Sequence, residues 1–293
     1  MTSSKNIKPS EKYKDRLFRA IFDDPEHREW LLSLYNAVNN SHYTNVEDLE
    51  VTTLDDVIYT KMKNDISFLL NSQMSLYEHQ SSYSPNLPLR GFLYYADLLR
   101  LKYHDKKLYS TSRLNIATPN YVVFYNGPQD IGEKQILKLS DSFEIPVKNK
   151  EEIYEWTCTM LNINKGKNEK LMESCKALQD YSEYVSMVRG NLLSGEDLNT
   201  AVENALDEAV RRNFLNGYFE KYRARIKSMS LTEYDEEEAK KVYHDDGYME
   251  GMAAQKAEDE KIIQEIVQEK DAEIARILEE NARMKALLES KKD

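Results

Sequence analysis

Only two cysteines, Cys158 and Cys175, occur in the 293 residues. That count excludes a disulfide framework and suits a reducing compartment. No run of 18 apolar residues is present, so no membrane-spanning helix is expected. The N-terminal stretch MTSSKNIKPSEKYK also lacks the apolar core of a secretory signal. A soluble, cytoplasmic protein with no membrane partner is the expectation. The five histidines are scattered with no pair at metal-ligand spacing, which argues against zinc. A phosphate loop of the form G-x-x-x-x-G-K is missing, and neither cysteine stands in the context of a nucleophile.

Charge is unevenly placed. The net value is −11, which taken alone disfavours a nucleic-acid partner. Residues 1–150, however, hold 19 basic and 19 acidic side chains, so the whole deficit lies in residues 151–293, with 21 against 32. Between Asn86 and Arg113 stand Arg90, Arg100, Lys102, Lys106, Lys107 and Arg113, opposed only by Asp97 and Asp105. Such a segment suits phosphate contacts, and it equally suits the solvated face of a helix.

Just before it lies KNDISFLLNSQMSLYEHQSS, residues 63–82. Ile66, Phe68 and Leu70 alternate with Asp65, Ser67 and Leu69, the period of a strand with one face in a core. Asn71-Ser72 reads as a two-residue turn, and Met74–Ser81 as the returning strand. In that register, facing positions sum to 143. Asp65 then opposes Glu78, and Gln80 shares the face of Glu78. His79 points the other way and reads as a core or surface residue. Two carboxylates about 5 Å apart repel by roughly 3 kcal/mol at an effective dielectric near 20. A divalent cation reverses that balance, and Mg²⁺ favours one or two carboxylates with water and phosphate oxygens. A solvated hairpin face is the alternative, and on either reading removing one carboxylate should leave the fold intact or slightly steadier.

Asn64-Asp65, a strand, Tyr77-Glu78-His79-Gln80-Ser81-Ser82 and Asn86-Leu87-Pro88-Leu89-Arg90 together resemble the Rpn (YhgA-like) family. These are recombination-promoting nucleases, also called putative transposases, of the PD-(D/E)xK superfamily. The resemblance continues, more weakly, to about Gly251. It implies a Mg²⁺-dependent DNA endonuclease in which Asp65 and Glu78 hold the metal. Gln80 stands where the superfamily has Lys and would orient the attacking water, although a neutral amide brings no positive charge to the transition state. Asp15 matches an acidic position on the first helix that can complete the metal site. By sequence alone Asp15 is a first-turn acid favoured by the helix dipole. Arg90 could reach a phosphate or pair with a site carboxylate. The alternative to an enzyme is a degenerate nuclease fold that holds DNA or a partner without cutting.

The remaining elements follow from periodicity. A helix from Pro9 presents Leu17, Phe18, Ile21 and Phe22, and a second, capped by Asp24, presents Trp30, Leu31, Leu34, Tyr35 and Val38 before Asn39-Asn40 ends it. Leu54–Met62 reads as a strand, and Asn86–Lys106 as a helix with Leu93, Tyr94, Leu98 and Leu101 inward. Tyr121–Tyr125 is apolar on both faces, as a covered central strand should be. Ile153–Ile163 is one more strand, and helices follow to Arg225. The expected organisation is an α/β PD-(D/E)xK nuclease-like core (α-β-β-β-α-β) over residues 10–165, an accessory helical region and linker over 166–250, and a coiled coil over 255–290.

The tail carries a heptad seam: Ile263, Val267, Lys270, Ile274, Ile277, Asn281, Met284 and Leu288 alternate at gaps of four and three. It extends about 39 Å at 1.5 Å per residue. Asn281 at an a position favours two parallel strands, because two facing amides satisfy each other. A homodimer is therefore expected, and its mass in solution should be about twice that of one chain. Ending the chain at Gly251 should abolish pairing, and Asn281→Ile should raise thermal stability while admitting higher oligomers. A full-length monomer at micromolar concentration would reduce the tail to a docked or partner-seeking helix.

Overall fold

In a computed structural model of the chain, Asn71 and Ser72 both take left-handed backbone, with φ of 48° and 61°. Two-residue hairpin turns need that geometry to match the twist of their strands. The structure describes residues 16–52, 66–145 and 154–232, together with Lys270. The chain divides into two compact units, residues 1–234 and 235–293. Lys270, which is helical, is the one described residue of the second. Asp15, Asp65, the expected strand Leu54–Met62 and the other seam positions (Ile263, Val267, Ile274, Ile277, Asn281, Met284 and Leu288) lie outside the described residues.

Two helices open the described chain, α1 (Arg16–Phe22) and α2 (Arg28–Asn39). The strands β1 (Glu50–Val51), β2 (Ile66–Leu70) and β3 (Gln73–Gln80) follow, each antiparallel to the one before. Helix α3 (Leu87–Leu108) crosses over to β4 (Thr118–Tyr125), which runs parallel to β3. Then come β5 (Lys134–Lys138) and β6 (Thr157–Asn162); β6 lies parallel to β4, and β5 pairs antiparallel on its outer edge. The six strands stand in the order β1-β2-β3-β4-β6-β5. A mixed α/β sheet is the result, with two helices, three strands, a helix and three more strands in sequence order.

Helices cover both faces. On one, Ile66, Phe68, Leu70, Tyr77, Val122 and Phe124 pack in a single apolar cluster with α1 and α2. The same cluster takes in α4 (Glu169–Ser174), α5 (Lys176–Leu193), α6 (Leu198–Arg211) and α7 (Tyr218–Lys221). A last described helix covers residues 223–232. The boundary expected at residues 165/166 thus runs through a shared core. On the other face, Met74, Leu76, Val123 and Met160 meet Leu87, Tyr94, Tyr95 and Leu98 of α3. Each such side chain contributes about 1.5–3 kcal/mol on burial.

Several expectations are corrected. All five residues of β2 are buried, so the strand has a core on both faces rather than one. Helix α2 begins at Arg28 with His27 at its cap. Asp24 instead accepts from the Glu26 amide at 2.9 Å and closes a turn ahead of the helix. Leu101 is 50% exposed, Leu93 is only half-buried, and Tyr95 takes the inward place, because the described buried positions of α3 are 87, 88, 91, 94, 95 and 98. Strand β5 had no clear signal. Only Leu137 of its five residues is buried, and lysines close both ends, as suits an exposed edge.

Gly91 decides how closely α3 approaches the sheet. A Cβ there would clash with two ring carbons of Tyr121. Gly91→Ala gains about 1 kcal/mol of helix propensity, but it overpacks a closed contact at about 1–3 kcal/mol. We expect a net loss read as a lower denaturant midpoint with unchanged m-value, and an equal or higher midpoint would show that α3 can lift without cost.

Candidate active site

On β3, Glu78 and Gln80 point to the α3 side and Tyr77 and His79 to the other, as alternation requires. Glu78 is 3% exposed and Gln80 4%. The register expected from the sequence holds over all five pairs, from Leu70 opposite Gln73 to Ile66 opposite Tyr77. Its next pair would be Asp65 with Glu78, and Asp65 is outside the described residues.

Glu78 accepts from three elements. Gln80 Nε2 donates to its Oε1 at 2.9 Å, and Arg90 Nη2, from the first turn of α3, donates to the same oxygen as an ion pair. Tyr121 Oη, on β4, donates to Oε2 at 2.6 Å. Short bonds to a carboxylate are the strong kind. Of the two roles open to Arg90 in the sequence, the structure shows the carboxylate pairing. Its side chain remains 25% exposed. Burial works against its charge, but the Glu78 carboxylate together with Tyr94 and Tyr121 outweighs this and holds it above the ordinary arginine range. Burial, reinforced by Glu78, likewise keeps the Tyr121 hydroxyl protonated and able to donate. Cys158 of β6 is buried nearby, and burial with the same carboxylate pushes its thiol up, away from the reactive thiolate.

Tyr121 and Gly91 were not visible as site residues in the sequence. Tyr121 reads as an ordinary strand former, and Gly91 as an isolated helix glycine. Their common signal is spatial: the glycine admits the ring, and the ring's hydroxyl reaches Glu78. His79 lies buried on the opposite face, stacked on Phe18 with ring centroids 5.3 Å apart and bonded to Tyr181 Oη at 2.9 Å. It faces away from Glu78, as alternation predicted, and of the two readings the sequence left open it is the core residue.

No group of three or more His, Cys, Asp or Glu able to hold a metal occurs among the described residues. Glu78 is thus the one carboxylate of the expected set on view, and its counter-charge is a guanidinium. No helix among the described residues is long and apolar enough to cross a membrane. No family model matches the chain, and no curated protein or solved structure matches it.

The donors around Glu78 revise one expectation. Loss of this carboxylate strands three donors among the described residues, so relief of repulsion alone does not govern the outcome. Arg90→Met leaves a buried charge unpaired and should cost about 3–5 kcal/mol. Glu78→Gln leaves a partly exposed guanidinium that can turn to water and should cost about 1–3 kcal/mol. The double variant should recover part of the Arg90→Met loss in chemical denaturation. Equal losses for both single variants would contradict this asymmetry.

Proposed function

We propose that this chain is a Mg²⁺-dependent DNA endonuclease of the Rpn type, within the PD-(D/E)xK superfamily, acting in DNA recombination or mobile elements. What supports the reading is the Glu78-x-Gln80 pair, buried on the third strand of a helix–three strands–helix–strand core and followed by a helix that carries Arg90 over it. The β2–β3 register, traced to Ile66 and Tyr77, supports Asp65 as the facing carboxylate.

A divalent cation fits this donor set in exchange for the guanidinium. Asp65 and Glu78 would hold it, with Asp15 as a further ligand, and it would supply a Lewis acid for the scissile phosphate. Once released from Glu78, Arg90 has the partial exposure needed to turn toward a phosphate. Gln80 directs its NH₂ to Glu78, and its amide oxygen would be the atom that accepts from a water. An amide can orient that water but cannot take up its proton or offset developing charge. Paired tails would bring two such sites together, which matters for cutting both strands.

A second reading has its own support. Glu78 already has a guanidinium and two further donors, as expected of a degenerate nuclease fold that binds DNA or a partner without cutting.

Supercoiled plasmid incubated with the purified chain should be nicked with Mg²⁺ and left intact with chelator. Asp65→Asn should abolish nicking. Gln80→Lys should be tolerated or faster, because an ammonium there can stabilise negative charge. A parent chain that fails to cut with any divalent ion would transfer the weight to the second reading, and undiminished cutting by Asp65→Asn would overturn the site.

A further inference from the structure

The sheet's other face holds a cavity of about 270 Å³ at the carboxyl ends of the parallel strands β4 and β6. Its walls include Asn126 after β4, Ile163, Asn164 and Lys165 after β6, and one side of α5 that carries Ser182, Val185, Ser186 and Arg189. Their spacing of three and four puts the α5 residues on one helical face. In open α/β sheets, ligands bind in the crevice outside the carboxyl ends of the strands.

Charge distinguishes this cavity. It has two cationic side chains in its wall and no carboxylate, in a chain of net charge −11. The larger cleft, of about 570 Å³, mixes Arg16, Arg19 and Arg225 with Asp23, Asp24 and Glu26. No carboxylate pairs with Arg189 among the described residues. Neutral groups orient it instead: Nη1 donates to the Asn126 carbonyl and to Asn164 Oδ1 at 3.2 Å, and Nη2 to Asn126 Oδ1 at 3.5 Å. Asn164 is itself fixed on the Gly127 carbonyl at 3.0 Å. A guanidinium aimed by amides and left uncompensated is built to receive an anion. Lys165 adds an exposed ammonium at the mouth, and Ser186 a hydroxyl.

We propose that this cavity binds a phosphate group, with Arg189 and Lys165 as its cations and Ser186 as a hydrogen-bond partner. The small volume selects a phosphate or a compact phosphate ester over a larger ligand. The site stands apart from Glu78, across the sheet, and its test does not depend on cleavage.

The full chain is titrated with inorganic phosphate and followed by calorimetry and by the amide resonances of Asn126, Asn164 and Lys165. Saturable binding below about 10 mM is expected. Lys165→Gln should weaken it about two- to fivefold, and Ser186→Asp, which puts a carboxylate in the wall, should weaken it at least about tenfold. Arg189→Gln should also weaken it about tenfold or more. Because Arg189 also holds the Asn126 carbonyl, the first two variants keep the test independent of folding. Displacement of phosphate by a short single-stranded DNA would identify a nucleic-acid phosphate as the ligand, and failure to displace it would identify a free phosphate or small ester. No saturation by about 10 mM phosphate, or binding indifferent to both Lys165→Gln and Ser186→Asp, would overturn the proposal.

Discussion

Burying Glu78 to 3% exposure requires that its charge be met inside the fold, and Arg90 meets it from the first turn of α3. Desolvating a carboxylate costs several kcal/mol, which only a close counter-charge and additional donors offset. Three segments distant in sequence therefore have to converge: β3 brings the acid, α3 the guanidinium, and β4 the Tyr121 hydroxyl. Gly91 sets the distance at which they do so. The polar cluster and the packing of α3 are one constraint, since neither can form without the other.

Local rules carried part of this a long way. A two-residue turn and strict alternation were enough to give the β2–β3 register and to place His79 on the far face, because both follow from backbone geometry alone. The both-sides-apolar run of β4 marked a central strand for the same reason. Partnership across long sequence separations had no such signature. Tyr121 lies 43 residues from Glu78, and nothing near it announces a carboxylate. Strand β5 failed to show because its apolar content is too small, and Leu101 failed because the buried face of α3 does not extend past Leu98 to it, although the period would carry it there. At Asp24 a turn competed with the helix for the same side-chain oxygen and prevailed.

The two faces of the sheet are tied at one end. The Asn126 amide donates to the Gln80 carbonyl at 3.1 Å, so the last residue of β3 and the first residue beyond β4 are held by a common bond. Gln80 presents its side chain to the α3 face, while Asn126 orients Arg189 on the other. Distinct polar surroundings are thus kept on opposite sides of a strand pair whose apolar side chains exclude water between them.

One contact bears on how the chain is made. The apolar stripe of α1 is covered in part by helices that come much later, and Tyr218 Oη donates to the Ala20 carbonyl across 198 residues at 2.9 Å. Translation at about 5–20 residues per second separates these partners by roughly 10–40 s. Throughout that interval Leu17, Phe18, Ile21 and Phe22 have emerged from the ribosome without their full cover. The nascent chain therefore presents a sticky helix for longer than most small domains take to fold, and it is at that stage that a chaperone would find the most to hold.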